Sequence, residues 1–330
     1  MNTTTLSVQT TPAARHRWGA TAWLPLLVLV ALALAGFLLQ GYPADLVVKI
    51  MVLAIFALSL QLLVGMTGLV SLGHAAYFGV GAYVAVLASG EAGGNLFVLL
   101  ALSMGAAALY ALAVGALSLR TRGVYFIMVT LAFAQMAYFI FHDTSLGGGS
   151  DGIYLNVRPA AGPLDMENRS VVYYVVLAAL AFTYGLLALI QRSRFGAALA
   201  GIRVNEQRMR AAGFSTYGYK LAAFVIAGAL AGLAGFLVAA RDGFVNPEML
   251  SWHISGEVLL MVILGGMGHL RGAVLGAVAF TLLKEVLATQ AFVGPLANHW
   301  QLTLGLAIIL FVALLPKGLI GLAQRRKEKQ

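Results

Sequence analysis

The residues able to do chemistry in this sequence are few and scattered. Gly147 to Gly152 reads GGGSDG and fits two motifs at once. As G-x-G-x-x-G it requires a preceding strand and a following helix for a dinucleotide, and its flanks offer neither. As G-x-S-x-G around Ser150 it requires a strand-to-helix elbow on an α/β sheet, with His142 and Asp143 as partners, and the loop from 142 to 170 is too short to house that fold. A tight turn with glycines at positive φ is the simpler reading, and a membrane serine hydrolase at Ser150 is the alternative. The six histidines are dispersed, with no pair at i, i+4 and no cysteine anywhere, so no metal site is expected. No G-x-x-x-x-G-K-[ST] loop occurs, so any nucleotide that powers the protein is bound by another chain. Ionisable residues within apolar runs are chiefly His74, Glu257, Lys284 and Glu285; the last three sit toward run ends, where snorkelling or pairing satisfies them. No chain of carboxylates suggests proton coupling, which counts against the alternative of a stand-alone secondary carrier.

These residues are carried by a very apolar chain. Its 330 residues are 61% hydrophobic and 10% charged, and the mean hydropathy is +0.89. The fold class expected is an all-α integral membrane protein. Apolar runs cover roughly 18–39, 45–66, 71–89, 95–118, 123–141, 171–190, 218–240, 255–267, 272–290 and 300–315. This predicts about ten transmembrane helices, one or two of them discontinuous, because the run near 260 is short and broken by Gly265, Gly266 and Gly268. The first run exceeds a signal-peptide core and is expected to be retained, although Ala33 and Ala35 form a weak cleavage pattern. With both termini cytoplasmic, sixteen of the 21 Lys and Arg residues fall on the inner side, as the positive-inside rule requires. That accounts for the net charge of +9 without nucleic acid. The domains expected are a cytoplasmic tail at 1–17, one membrane domain at 18–316 and a basic cytoplasmic tail at 317–330.

Two connections are long. The outer one, 142–170, reads as an ordered-to-mobile extracellular loop. The inner one, 191–217, has Phe195, Leu199, Ile202 and Met209 near helical spacing with polar residues between them, which predicts one or two amphipathic helices at the cytoplasmic surface. Lipid binding and docking of a cytoplasmic partner both fit such a segment. Two elements rich in small residues stand out. After a break at Gly65 and Gly68, Ser71, Ala75 and Gly79 recur every four residues beside Gly73; later Gly268, Gly272 and Gly276 do the same. Such spacing lets helix backbones approach closely. Both elements fall at inner-side hairpins, as in a weak internal repeat flanking a translocation path.

Four segments, GLVSLGHAAYFGVGAYVA, SDGI, RFGAALAGIRVNEQRMRAAGFSTYGYKLAAFVIAGALAGLAGFL and GGMGHLRGAVLGA, resemble the permease subunits of bacterial branched-chain amino-acid ABC importers, LivM-type more than LivH-type. The resemblance spans about residues 45 to 315. It implies a bacterial inner-membrane importer built from this chain, a second LivH-type permease, two cytoplasmic ATPase subunits that use ATP and Mg, and an extracytoplasmic binding protein. It also implies that this chain itself binds no cofactor and is not an enzyme. The inner segment then holds the helix that couples to an ATPase, with Arg203, Glu206, Arg208, Arg210 and Gly213 as coupling residues. Ser71, His74, Tyr77 and Gly79 are candidates to line the path for Leu, Ile or Val; for His74, a hydrogen bond to a neighbouring helix is the competing role. Gly68, Gly73, Gly268, Gly272 and Gly276 are packing positions. Asp151, Asp165, Glu167, Asp242 and Glu248 make an acidic outer face for the binding protein. Relatives on the same scaffold imply urea or short amides as the alternative cargo.

Overall fold

A computed structural model of the protein describes residues 24–91, 93–289, 299–315 and 318–321. The N-terminal tail, the start of the first apolar run and most of the basic C-terminal tail lie outside the described residues. Each of the ten apolar runs carries a helix: α1 (Leu24–Leu38), α2 (Tyr42–Gln61), α3 (His74–Ala88), α4 (Leu96–Ser118), α5 (Val124–Asp143), α6 (Arg169–Arg192), α9 (Thr216–Asp242), α10 (Trp252–Gly265), α11 (Leu270–Ala288) and α12 (Trp300–Leu314). Two short helices, α7 (Arg194–Val204) and α8 (Glu206–Ala211), form the polar connection between α6 and α9.

Among the described residues, six helices are long and apolar enough to cross a membrane, or seven if the pair α10 and α11, bent by 116°, is counted as one span. The count of ten runs therefore resolves, among the described residues, into six full-length helices, the short α1 and α3, and the bent pair. The bend follows from the glycines at 265, 266 and 268, which end α10 and let the chain reverse before Leu270. Polar caps set other boundaries. Asn95 accepts from the N–H groups of Phe97 and Val98, Asn168 from Ser170, Ser193 from Gly196 and Asn205 from Arg208, each covering a donor the first helical turn leaves open.

The helices differ in how much of their surface is covered. Of the central stretch of α2, continued through a π-helical turn at Leu62–Thr67, 78% is buried, and of α9 67%; α4, α5 and α12 bury only 28, 22 and 25%. The first two form the centre and the others present apolar side chains outward, as lipid-facing helices do. Small residues bring α9 against its neighbours. Gly232 lies against Gly81 of α3 and Ala107 of α4, Gly228 against Ala111, and Gly235 against the Phe78 carbonyl. Close backbone approach, not a hydrophobic force absent from lipid, is what joins helices in such a core.

The chain's connections gather at two ends of opposite charge. At the acidic end, β1 (Ile153–Tyr154) pairs antiparallel with β4 (Phe244–Val245), and β2 (Ala160–Ala161) pairs with β3 (Leu164–Asp165). The loop at 142–170 is thus tied to the end of α9, and the Tyr83 hydroxyl donates to the Gly147 carbonyl within it. At the basic end lie 119–123, α7, α8 and the two glycine-rich breaks. Those breaks, some two hundred residues apart in sequence, meet there. With its amide oriented to satisfy both groups, Gln61 accepts from the N–H groups of Gly268 (2.6 Å) and His269 (2.8 Å).

Candidate functional site

The acidic half of the bundle encloses a cavity of about 230 Å³ between α2, α3, α9, α10 and α11. Phe56, Phe78, Met261 and Phe280 make its walls apolar. Its rim is charged. Lys284 Nζ lies 2.7 Å from Glu257 Oε1, each about one-third exposed, and Arg241 is paired with its neighbour Asp242 at 2.6 Å. Lys284 also stands 5.2 Å from the centre of the Trp300 ring, where a cation meets the ring's negative face. An apolar chamber with a few convergent polar groups is the usual form of a small-molecule site. Among the described residues, no three metal-ligating side chains come together.

The residues proposed from sequence for the path lie elsewhere. Ser71 and His74 are fully buried, and Tyr77 is 1% exposed; neither they nor Gly79 line this cavity. His74 Nε2 is 2.8 Å from Ser59 Oγ, and its ring stacks on Phe56. The competing role, a hydrogen bond to a neighbouring helix, is the one its geometry supports. Ser71 Oγ accepts from the Gly73 N–H, Ala75 donates its N–H to Ser255 Oγ at 2.8 Å, and Gly79 faces Leu250. This small-residue face therefore packs against Leu250 and the start of α10. Phe78, one position from the residues named for the path, does reach the cavity. The charged rim was legible only as single residues near run ends; its one sequence signal was opposite charge on consecutive apolar runs.

At the basic end, Glu206 is the hub of a clamp. Its carboxylate accepts from Arg210 Nη2 (2.6 Å), Lys220 Nζ (2.9 Å) and Thr216 Oγ1 (3.0 Å), and Arg210 Nε donates to Thr216 Oγ1 (2.9 Å). The clamp joins α8 to the first turn of α9. Arg203 donates to the Gly65 carbonyl and lies beside Gly68 and Gly268, so it joins α7 to both breaks. Gly68, at φ 75°, ends the π-helical turn in a conformation that favours glycine. Glu206, Arg203 and, through Glu206, Arg210 thus make contacts within the chain, while Arg203 and Arg210 stay exposed at the same surface. Sequence could not show this, because Lys220 falls in the following apolar run. Arg208 and Val204 do face outward, the latter 83% exposed, and Gly213 sits at φ 86° in the turn to α9.

Partial burial raises the pKa of Glu206, and the contacts from Lys220, Thr216 and Arg210 outweigh it, leaving the carboxyl below its ordinary range. A depressed carboxylate pKa stabilises the folded state above the unfolded value of about 4.3 and loses that contribution as pH falls through the lower, folded value. The clamp is therefore expected to hold from neutral pH to about pH 5 and to release only in stronger acid. Thermal unfolding of wild type and Glu206→Gln measured between pH 7 and pH 3 checks this: the gap between them should stay constant at the upper values and close at the lower.

Gly73 abuts the Thr130 carbonyl, and Gly272 and Gly276 abut backbone of α10. Asp151, Asp165, Glu167, Asp242 and Glu248 are all exposed at the acidic end, Asp242 beside its Arg241 counterion and Glu248 within 3.4 Å of the Tyr138 hydroxyl. Ser150 bonds Asp151, and His142 bonds Asp143, so the hydrogen bonds do not form the Ser–His–acid relay a hydrolase requires.

Long apolar helices packed through small residues, with their charge gathered at the two ends, make this a multi-pass membrane protein. The chain belongs to the family described as branched-chain amino acid transport system / permease component, which matches residues 42–313. It is 28% identical over 324 residues to the high-affinity branched-chain amino acid transport system permease protein LivM of Salmonella typhimurium and, equally, to LivM of Escherichia coli K12, in each case covering 91% of this chain and 75% of the relative. A shorter similarity, 28% over 143 residues, covers 42% of this chain and 40% of the autoinducer 2 import system permease protein LsrC of Escherichia coli K12. The family is one of transport permeases, not of enzymes.

Proposed function

We propose that this chain forms half of the translocation path of an ATP-driven importer for Leu, Ile, Val or related amino acids, in the bacterial inner membrane. In this reading a LivH-type permease supplies the other half, two ATPase subunits with ATP and Mg supply the work, and an extracytoplasmic binding protein delivers the cargo. The membrane domain spans 18–316, crosses ten times when the short helices and the bent pair are included, and keeps both tails in the cytoplasm with the basic end.

One observation carries the reading: α9 runs unbroken from the Glu206 clamp to the cavity rim at Arg241 and Asp242. An ATPase pressing on the outward faces of α7 and α8, at Val204 and Arg208, thereby moves a helix that borders the chamber. Rigid-body transfer of this kind is how packed helices convert a local push into opening of a distant site. Exposed acids at the other end suit a binding protein with basic contacts, whose docking then weakens with salt.

The test is partnership. Purified alone in liposomes, the chain is expected neither to hydrolyse ATP nor to accumulate leucine; with its partner subunits it does both. Leucine accumulation by the isolated chain, driven by an ion gradient, would establish a secondary carrier instead.

A further inference from the structure

The geometry points to Glu257, Lys284 and Thr281 as the groups by which this permease itself reads the charged head of an amino acid. The inference rests on the importer reading above and goes beyond it, because it locates selectivity for a zwitterion in this chain and not only in a binding protein.

Three observations converge. The chamber has an apolar body, formed by side chains such as Phe56, Met261 and Phe280, that matches an aliphatic side chain. At its rim one acid and one base are already bonded to each other, Glu257 to Lys284 at 2.7 Å. One turn from Lys284 on the same helix, Thr281 lines the chamber, and its buried Oγ1 has no hydrogen-bond partner. A buried hydroxyl without a partner is uncommon and asks for one.

An α-amino acid offers a partner to each of the three. Its ammonium takes the place of Lys284 on Glu257, and its carboxylate takes the place of Glu257 on Lys284 while accepting from the Thr281 hydroxyl. One ion pair is broken and two are formed, so no charge is left without a counterion. A neutral amide such as urea offers no formal charge to either group, and opening the pair for it leaves two partly desolvated charges unmatched, a costly state. The rim therefore favours zwitterions over amides. Lys49 and the Arg241–Asp242 pair also border the chamber, and the excess of cations favours entry of the carboxylate end.

The complete transporter in proteoliposomes tests this. Glu257→Gln and Lys284→Gln are each expected to lower leucine uptake about tenfold or more, and Thr281→Val by a few-fold, since each removes a hydrogen bond to a charged group. Glu257→Met/Lys284→Met removes both charges together, a replacement that commonly preserves stability; it is expected to assemble with the partner subunits and fail to move leucine. Uptake at the wild-type rate in that double variant, or in the conservative Glu257→Gln, overturns the proposal and leaves the importer reading untouched. A wild-type assembly that moves no amino acid at all refutes the importer reading instead.

Discussion

Gly276→Ala is expected to remove the folded chain from the membrane, whereas Gly256→Ala, in the partner helix of the same hairpin, leaves it at wild-type level. A Cβ at 276 would stand 1.8 Å from the Met261 carbonyl oxygen and 2.9 Å from the Gly265 nitrogen, while one at 256 meets nothing within 4 Å. The clash is with backbone, which cannot swing aside as a side chain does. Relief requires α10 and α11 to separate, and the cost exceeds the about 1–3 kcal/mol of ordinary overpacking. That separation also breaks the Gln61 bonds to Gly268 and His269, because the same hairpin presents them. Size-exclusion chromatography of the fluorescently tagged chain from solubilised membranes gives the measurement. A monodisperse Gly276→Ala peak equal to wild type would mean that the hairpin packs differently.

The second large effect belongs to Glu206→Lys. The substitution replaces the acceptor of three hydrogen bonds with a third cation beside Arg210 and Lys220, the latter side chain only 9% exposed. Leaving a buried charge unpaired costs about 3–5 kcal/mol in full burial. With Glu206 itself 23% exposed, water moderates this toward about 2 kcal/mol. The expected outcome has two parts: a lower unfolding temperature for the chain, and leucine uptake reduced at least about tenfold while the ATPases continue to turn over. Arg208→Glu separates the two, because its side chain is outside the clamp: it should weaken ATPase docking and leave the unfolding temperature in place. If Glu206→Lys kept coupled uptake, α8 would not be the element that conveys the push.

Much of the fold was legible because hydropathy is averaged over long runs. The ten runs, the break at 265 to 268 and the helices between Arg194 and Ala211 all follow from local pattern. What escaped depends on which distant residues meet. Ser71, Ala75 and Gly79 mark a contact face in sequence, but nothing local says that α10 covers it. The bond of Glu206 to Lys220 was hidden, because Lys220 lies beyond a turn in which Gly213 takes a positive φ. Glu257 and Lys284 each read as a charge near a run end. Only the reversal at 266 to 269 makes them partners across a chamber.

The placement of glycines along α9 has a mechanical consequence. The helix has 27 residues, a rod of about 40 Å at 1.5 Å per residue. Its tightest backbone contacts, at Gly228, Gly232 and Gly235, lie near its midpoint, while the clamp grips one end and the chamber rim meets the other. A rod pivoting at its middle is a seesaw: a tilt of about 5° moves each tip by roughly 2 Å, in opposite directions. An inward swing at the basic end is then an outward swing at the acidic end, so under the proposed importer mechanism a single rigid part opens the two mouths of the path out of phase.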